Sequence, residues 1–179
     1  MVVFSYLLHL GTSGALCRQK LRRLTLRICM DPIDLPMGCG WAKVESRIVL
    51  QENLAPALLG LGDFSHLLVV FWMHRAKPPT VLQRRPQNRD DMPKAGLFSQ
   101  RSKHRPNPIG VTSVPLVRVS GCHVLVRGLD TINGTPVLNI KPYYPHYDSP
   151  AGVRLPEWVD RLMVVTCPPQ NCTSYNVRT

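Results

Sequence analysis

Residues 65–73 read SHLLVVFWM, a run in which apolar side chains follow one another almost without interruption. The run is shorter than most buried helices and rich in β-branched and aromatic residues, which predicts a nearly continuously buried β-strand. Further strands are predicted on both sides of it, at 44–50, 109–119, 122–129 and 136–143. Between the last two, Asn133-Gly134 is a turn signal.

Helical signals are few. The tail contains a short amphipathic piece at 158–163, and no helix longer than three turns is evident, so the βαβ alternation of a nucleotide-binding fold is missing. Residues 1 to about 40 are interpreted as irregular, because a Leu-rich start and a basic stretch lead into a loop rich in Pro and Gly at 31–40. The fold prediction is mainly β: a single antiparallel β-barrel-like, non-Rossmann domain with short helical and loop additions.

Positive charge is concentrated in one part of the chain. The 179 residues carry 22 Lys and Arg against 11 Asp and Glu, a formal net charge of +11. Segment 74–105 alone has nine Lys or Arg and two Asp, a net charge of +7. This distribution favours a polyanionic partner, and nucleic acid more than protein. The alternative is a solvated basic loop without a partner.

The cysteines and the apolar start bear on the compartment. The six cysteines include no C-x-x-C pair and no histidine at zinc-site spacing, so we expect reduced thiols and no metal. No stretch approaches the ~20 apolar residues that cross a bilayer. Residues 1–10 are apolar, but the flanks of a cleaved signal peptide are absent. We therefore expect a cytoplasmic protein without membrane contact.

The most specific stretch is 101–110, RSKHRPNPIG. Each proline fixes its own φ and excludes the helical region for the residue before it, so the segment is expected to run extended. Asn107, held between two prolines, then presents a donor and an acceptor in a defined direction, as recognition of a base or cofactor edge requires. The alternative is a rigid proline loop that carries stray charge.

Four ordered runs resemble the TrmO (TsaA-like, YaeB-like) family of tRNA methyltransferases: GDFSHL at 62–67, FWMHR at 71–75, GLFSQR at 96–101 leading into RPNPIG, and NGTPVLNIKPY at 133–143. The resemblance covers about residues 31 to 161. It implies a single-domain β-barrel, usually a homodimer, that binds S-adenosylmethionine without a Rossmann fold. It also divides the chain into an N-terminal extension at 1–23, a barrel domain at 24–165 and a C-terminal tail at 166–179.

The resemblance also implies cofactor-binding positions, carried over motif by motif. These are His74, Arg75, Arg101, Asp130, Asn133, Gly134, Thr135 and Pro136. The family often has Asp where this chain has Asn133, so a contact through a carboxylate is lost there. Where many members have a Pro-Arg-Gln cofactor loop near the start, this chain offers only Pro36 and Met37.

The implied reaction is methylation of the exocyclic amino nitrogen of threonylcarbamoyl-adenosine, next to the anticodon in tRNA. Removal of that nitrogen's proton should help the transfer, and His74, Asp130 and Tyr143 or Tyr144 are the candidate acceptors. The threonyl carboxylate needs a cation, for which Arg105 or Arg84 is predicted. The predicted substrate and RNA contacts are Arg84, Arg85, Lys103, Arg105 and Asn107. The alternatives are a non-catalytic RNA-binding barrel and a methyltransferase for another RNA or a small molecule.

Overall fold

The computed structural model describes residues 26–30 and 43–166, with side chains described for 43–163. The strands in these ranges are β1 (Leu26–Met30), β2 (Glu45–Val49), β3 (His66–Trp72), β4 (Gln83–Arg84), β5 (Ala95–Gly96), β6 (Ile109–Ser120), β7 (His123–Arg127) and β8 (Pro136–Pro142). The α-helices are α1 (Pro145–Asp148) and α2 (Glu157–Thr166). Short 3-10 helices span Glu52–Leu58, Leu61–Asp63, Pro86–Asn88 and Leu97–Ser99. None of the described helices is both long enough and apolar enough to span a membrane.

Six strands form one hydrogen-bonded ring in the order β1-β2-β7-β6-β3-β8. The ring closes through a short contact, in which Leu26 and Arg27 of β1 pair with Val137 and Pro136 of β8. All pairings between described strands are antiparallel. The predicted mainly β, antiparallel and non-Rossmann fold class is therefore confirmed.

Alternate residues of the strands fill the interior of the barrel. In β3, Leu67, Val69 and Phe71 are buried. The residues that alternate with them, including Trp72 at the end of the strand, are only half-buried. The prediction of a nearly continuously buried strand is therefore wrong, because one face of β3 meets the core and the other faces outward. The interior is completed by fully buried side chains from neighbouring strands, namely Ile48, Val114, Val124, Val126 and Val137.

The start of the chain and the Asn-Gly turn differ from the expectation. Residues 26–30 pair with β2 as β1, so the interpretation of residues 1 to about 40 as irregular is wrong for this strand. The turn forms, with Gly134 at φ +77° and the Thr135 amide donating to the Ile132 carbonyl at 3.2 Å. However, β7 and β8 pair with other strands and not with each other. The extension at 1–23 and residues 167–179 lie outside the described part of the chain.

Gly110, the last residue of the RPNPIG run, has a packing role. It lies opposite Phe71 in the pairing of β6 with β3, and a Cβ at this position would overlap the Phe71 ring. The ring occupies the space that a side chain on Gly110 would need. A glycine is therefore required here for a close approach inside the barrel wall.

We expect Gly110→Ala to lower the free energy of unfolding by about 1 to 3 kcal/mol, because the added methyl overpacks a closed site. Urea denaturation measures the change. Gly62→Ala is the matched control, since a Cβ on Gly62 meets no atom within 4 Å. Equal midpoints for the two variants would show that Phe71 moves aside at no cost.

A buried side-chain amide holds together two parts of the long connection between β3 and β6. Gln100 is 8% exposed, and its Nε2 donates to the carbonyl oxygens of Arg84 at 2.8 Å and Ala95 at 2.9 Å. These acceptors lie on β4 and β5, the two strands of a small separate sheet. The basic segment at 74–105 therefore has an ordered structure of its own, held by these hydrogen bonds.

Candidate functional site

Strand pairing brings three of the predicted segments to one end of the barrel: the end of the FWMHR run, the RPNPIG run and the turn at 133–136. β3 is antiparallel to both β6 and β8, with Trp72 facing Ile109 and Phe71 facing Val137. The end of β3 therefore lies beside the beginnings of β6 and β8. β7 is antiparallel to β6, so it ends on the same side. We call this barrel end, where β3 and β7 finish and β6 and β8 begin, the site rim.

The proline-rich run is attached to the residues that follow β3. The Met73 amide donates to the Pro108 carbonyl at 2.8 Å, and the His104 ring lies 3.2 Å through Nδ1 from the Lys77 carbonyl. Asn107 is exposed between its prolines, as predicted for a residue that presents its amide outward. The segments at 73–77 and 103–108 therefore form one surface at the site rim.

Asp130 follows the buried Leu129 at the end of β7 and precedes the buried Thr131. The residue as a whole is exposed, but its surroundings desolvate the carboxylate enough that burial raises its pKa. The positive charge of Lys103 acts in the opposite direction and lowers this pKa. Lys103 and Asp130, predicted for different roles, thus lie within electrostatic reach of each other.

Thr131 adds a polar group that the sequence did not indicate. It is 6% exposed, and its Oγ1 has no hydrogen-bond partner among the described residues. Buried hydroxyls are normally hydrogen-bonded, so an unpartnered one beside Asp130 is suited to a bound molecule. No sequence pattern distinguished Thr131 from an ordinary turn residue.

His74 lies directly beyond β3. Burial lowers the pKa of its imidazole, the neighbouring Arg75 charge lowers it further, and a hydrogen bond with the Trp72 backbone opposes both effects. The ring therefore stays neutral at physiological pH, and a neutral ring nitrogen can accept a proton or a hydrogen bond.

The Asn133-Gly134-Thr135-Pro136 turn leads into β8 at the same rim. Asn133 and Gly134 are exposed, whereas Thr135 is 2% exposed and its hydroxyl donates to the Ile132 carbonyl at 2.6 Å. Thr135 therefore stabilises the turn through its side chain, and Asn133 and Gly134 are the exposed residues of this turn. Pro36 and Met37 fall outside the described residues.

Two of the predicted substrate arginines donate hydrogen bonds to backbone carbonyl groups of the same chain. Arg105 Nη1 donates to Leu97 at 3.1 Å and Gln100 at 2.6 Å, and its guanidinium lies 5.3 Å from the Phe98 ring centre. Arg85 Nη1 donates to the carbonyls of Asp90 and Met92.

Through Nη1, both guanidinium groups help to hold the loop together. Their role as substrate contacts stays a prediction. Arg84 is half-buried, with an Nε that has no partner in the described part of the chain. Arg101 donates to the Val111 carbonyl at 2.9 Å and is otherwise exposed. Lys103, the lysine among the predicted substrate contacts, is exposed.

Tyr143 is placed away from the other candidate acceptors. It follows the end of β8, and its amide donates to His66 at the start of β3, so it lies at the barrel end opposite the site rim. The seven residues of β8 separate the two ends, roughly 20 Å at 3.3 Å per residue. Tyr144 belongs to the same far end, 5.8 Å between ring centres from Phe64. Within one chain, Tyr143 and Tyr144 therefore lie apart from Asp130 and His74, and their role as proton acceptors stays a prediction.

The described side chains include one free cysteine, Cys122, which is half-buried. Among the same residues no group of three or more His, Cys, Asp or Glu side chains is placed to hold a metal ion.

Known proteins share both the sequence and the fold. Residues 31–149 match the family model for the tRNA-methyltransferase O N-terminal domain. The chain is 39% identical over 123 residues to the tRNA (adenine(37)-N6)-methyltransferase of Homo sapiens, which covers 68% of this chain and 28% of that protein. It is 34% identical over 132 residues to a probable S-adenosyl-L-methionine-binding protein of Pyrococcus abyssi, covering 73% and 70% of the two chains.

A solved structure of TrmO from Pseudomonas aeruginosa superimposes with a TM-score of 0.55 at 30% identity. The similarity covers 73% of this chain and 58% of that one. This chain thus spans less than a third of the human relative and more than half of the bacterial structure. The matched residues include β2 to β8 and every described residue of the site rim, so the chain belongs to the tRNA-methyltransferase O family through that family's N-terminal domain.

Proposed function

We propose that this chain transfers a methyl group from S-adenosylmethionine to the exocyclic amino nitrogen of adenine 37 in tRNA. The observation that carries the proposal is the gathering of Asp130, His74 and Lys103 at one barrel end, beside the exposed amide of Asn107. Two relatives support it, since the human protein is a tRNA (adenine(37)-N6)-methyltransferase and the archaeal one a probable S-adenosyl-L-methionine-binding protein.

The residues at the site rim fit the cofactor's charges. S-adenosylmethionine carries a sulfonium, an ammonium and a carboxylate, and the rim offers a carboxylate in Asp130 and cations in Lys103 and Arg75. The unpartnered buried hydroxyl of Thr131 supplies a further donor and acceptor. Asn133, Gly134 and Arg101 complete the set that would hold it.

The chemistry requires alignment and one proton transfer. Bound S-adenosylmethionine supplies an electrophilic methyl group. The chain's part is to hold the adenine nitrogen in line, exclude water and accept the proton that the nitrogen loses. We assign the proton to the Asp130 carboxylate, because partial burial raises its pKa and so makes it a stronger base than an exposed aspartate. His74 is neutral and accepts a hydrogen bond in the same site.

The proposed substrate is the threonylcarbamoyl form of adenine 37. Its carboxylate needs a cation, and Lys103 is exposed at the site rim, whereas Arg105 is engaged with backbone oxygens. The test is a comparison of initial rates on tRNA that carries or lacks the threonylcarbamoyl group, followed by nucleoside mass spectrometry. Equal rates on both tRNAs would remove the threonylcarbamoyl group from the proposal but leave methyl transfer in place.

We further propose a cytoplasmic homodimer, with an apolar part of the barrel wall as its interface. On the outer face of β6, Ile109 is 42% exposed and Val111 44% exposed. Val111 pairs with the half-buried Val70 of β3. An apolar outer wall of this kind is typical of a surface that another protein covers. Sedimentation of wild-type protein and Val111→Glu would decide whether this wall joins two copies.

The pH dependence of methyl transfer distinguishes the two candidate proton acceptors at the site rim. The carboxylate must be deprotonated to accept, so the rate should rise with pH through the raised pKa of Asp130. Lys103 lowers that pKa. Lys103→Met should therefore raise it and move the acidic limb of the kcat/KM profile to higher pH. Initial rates measured over a series of pH values give the displacement of this acidic limb.

Two matched variants make this result specific. Lys94→Met removes an exposed lysine elsewhere in the basic segment and should leave the limb in place. Arg75→Gln removes a charge that lowers the pKa of His74, so it should move the limb only if His74 is the acceptor. A limb that responds to Arg75→Gln and not to Lys103→Met would transfer the role from Asp130 to His74.

A further inference from the structure

A second basic surface lies on the outer wall of the barrel, where β2, β7 and β6 run side by side. A groove of about 360 Å³ on this wall is lined by Glu45, Arg47, Arg118, Ser120, His123 and Leu125. None of these residues belongs to the basic segment at 74–105. The register of the three strands explains why they meet.

The wall groove is built in rows across the strands. Leu125 of β7 pairs with Arg47 of β2 on one side and with Arg118 of β6 on the other, so two exposed arginines flank a half-buried apolar floor. Two residues before Leu125, at the start of β7, His123 pairs with Ser120. In the other direction Glu45 pairs with Arg127, and Arg127 Nη2 donates to Glu45 Oε1 at 2.7 Å.

The charge of this wall suits an anion. Glu45 is the carboxylate among the groove residues, and its ion pair with Arg127 offsets it. Two arginines, Arg47 and Arg118, outnumber this carboxylate, so the formal charge of the groove residues is positive. Ser120 and His123 add hydrogen-bond donors. The barrel wall that contains Val70, Ile109 and Val111 is apolar by contrast.

The wall groove lies near the site rim along β7. Arg127 is the last residue of β7, and Asp130 follows three residues later. Successive rows lie about 7 Å apart along the strands, since each row is two residues from the next. The Arg127–Glu45 pair forms the row nearest the rim, and the donors that line the groove lie in the two rows beyond it, namely Arg47, Arg118, Ser120 and His123.

We propose that this wall groove binds the phosphate backbone of the same RNA whose adenine enters the site rim. The inference rests on the proposed function and adds a surface to it. Guanidinium groups that flank an apolar floor hold phosphates on both sides of a nucleotide, and such contacts give affinity and register without base selectivity. RNA is favoured over an acidic protein because the groove lies near the proposed adenine site.

The test is RNA binding by Arg47→Gln/Arg118→Gln, measured by fluorescence anisotropy across a salt series with an anticodon stem-loop RNA that carries the threonylcarbamoyl group on adenine 37. Both arginines are exposed, so the substitutions leave the core intact. We expect roughly tenfold weaker binding at low salt and a salt slope smaller by about 1.4 to 1.8, since each lost phosphate contact removes about 0.7 to 0.9. The control is Lys141→Gln/Arg154→Gln, which removes two exposed cations outside the groove and should retain most of the slope.

Titration of each protein with S-adenosylmethionine separates failure of this inference from failure of the proposed function. If the wall variant bound RNA with the affinity and slope of the control variant, the groove would not hold phosphates, and the function proposed for the rim would stand. If wild-type protein bound S-adenosylmethionine but no RNA, the RNA substrate itself would be wrong and the groove proposal with it. A smaller salt slope of RNA binding in the single variant Arg118→Gln would support the groove independently of the double variant.

Discussion

Asp130→Asn should lower the rate of methyl transfer by roughly 10²- to 10⁴-fold, the usual contribution of a general base. Asparagine keeps the size and one acceptor oxygen of the side chain but cannot take a proton. The loss should therefore appear in the chemical step. Single-turnover kinetics at saturating S-adenosylmethionine and tRNA measure that step directly.

Stability measurements exclude unfolding as the cause of this loss. Burial raises the folded-state pKa of Asp130 above its ordinary value, so the folded protein binds this proton more tightly than the unfolded chain. The carboxylate therefore costs stability as pH rises from the ordinary pKa of an aspartate through the raised pKa. Asp130→Asn should accordingly melt no lower than wild type at pH 7. A variant within tenfold of the wild-type rate would contradict the assignment of the proton to Asp130.

Phe71→Ala should destabilise the protein by about 3 to 5 kcal/mol, the range for truncation of a buried aromatic ring. Phe71 is 5% exposed on β3, which pairs on both sides with β6 and β8. Its ring also covers Gly110, which has no side chain to occupy the space that truncation opens. Urea denaturation followed by intrinsic fluorescence gives the free energy of unfolding.

Trp72→Ala provides the comparison within the same strand. Trp72 is the larger side chain, but it is half-buried on the outer face of β3. The size of the residue alone would make the tryptophan variant the less stable of the two, whereas burial predicts the opposite order. A larger loss for Trp72→Ala than for Phe71→Ala would show that the outer face of β3 carries the stabilising contacts.

Much of the barrel was predictable because its strands are strongly apolar or alternate with period 2. The strands predicted at 44–50, 65–73 and 136–143 match β2, β3 and β8 within one residue at each end. β1 was missed because Leu26–Met30 lies between a basic stretch and a Pro- and Gly-rich loop, where the pattern indicated no regular structure. β4 and β5 are two residues each, too short for any periodicity.

The position of the candidate residues in the fold was predictable from the sequence, but the contacts of the arginines were not. Motif order and antiparallel pairing bring His74, Asn107 and the turn before β8 to one rim. The same logic places Tyr143 at the far end of β8, so the predicted strand itself indicated its distance from the rim. That Arg105 and Arg85 bind backbone carbonyls depends on the path of the loop, which sequence patterns do not reveal.

The most direct measurement is the destination of an isotopically labelled methyl group after wild-type protein is incubated with labelled S-adenosylmethionine and threonylcarbamoylated tRNA. Nucleoside mass spectrometry and fragment mapping identify the atom and the position that carry it. The predicted result is label on the exocyclic nitrogen of the nucleoside at position 37, in amounts that rise with time and protein concentration. Saturable binding of both S-adenosylmethionine and tRNA without label in any nucleoside would contradict methyl transfer and leave a non-catalytic RNA-binding barrel.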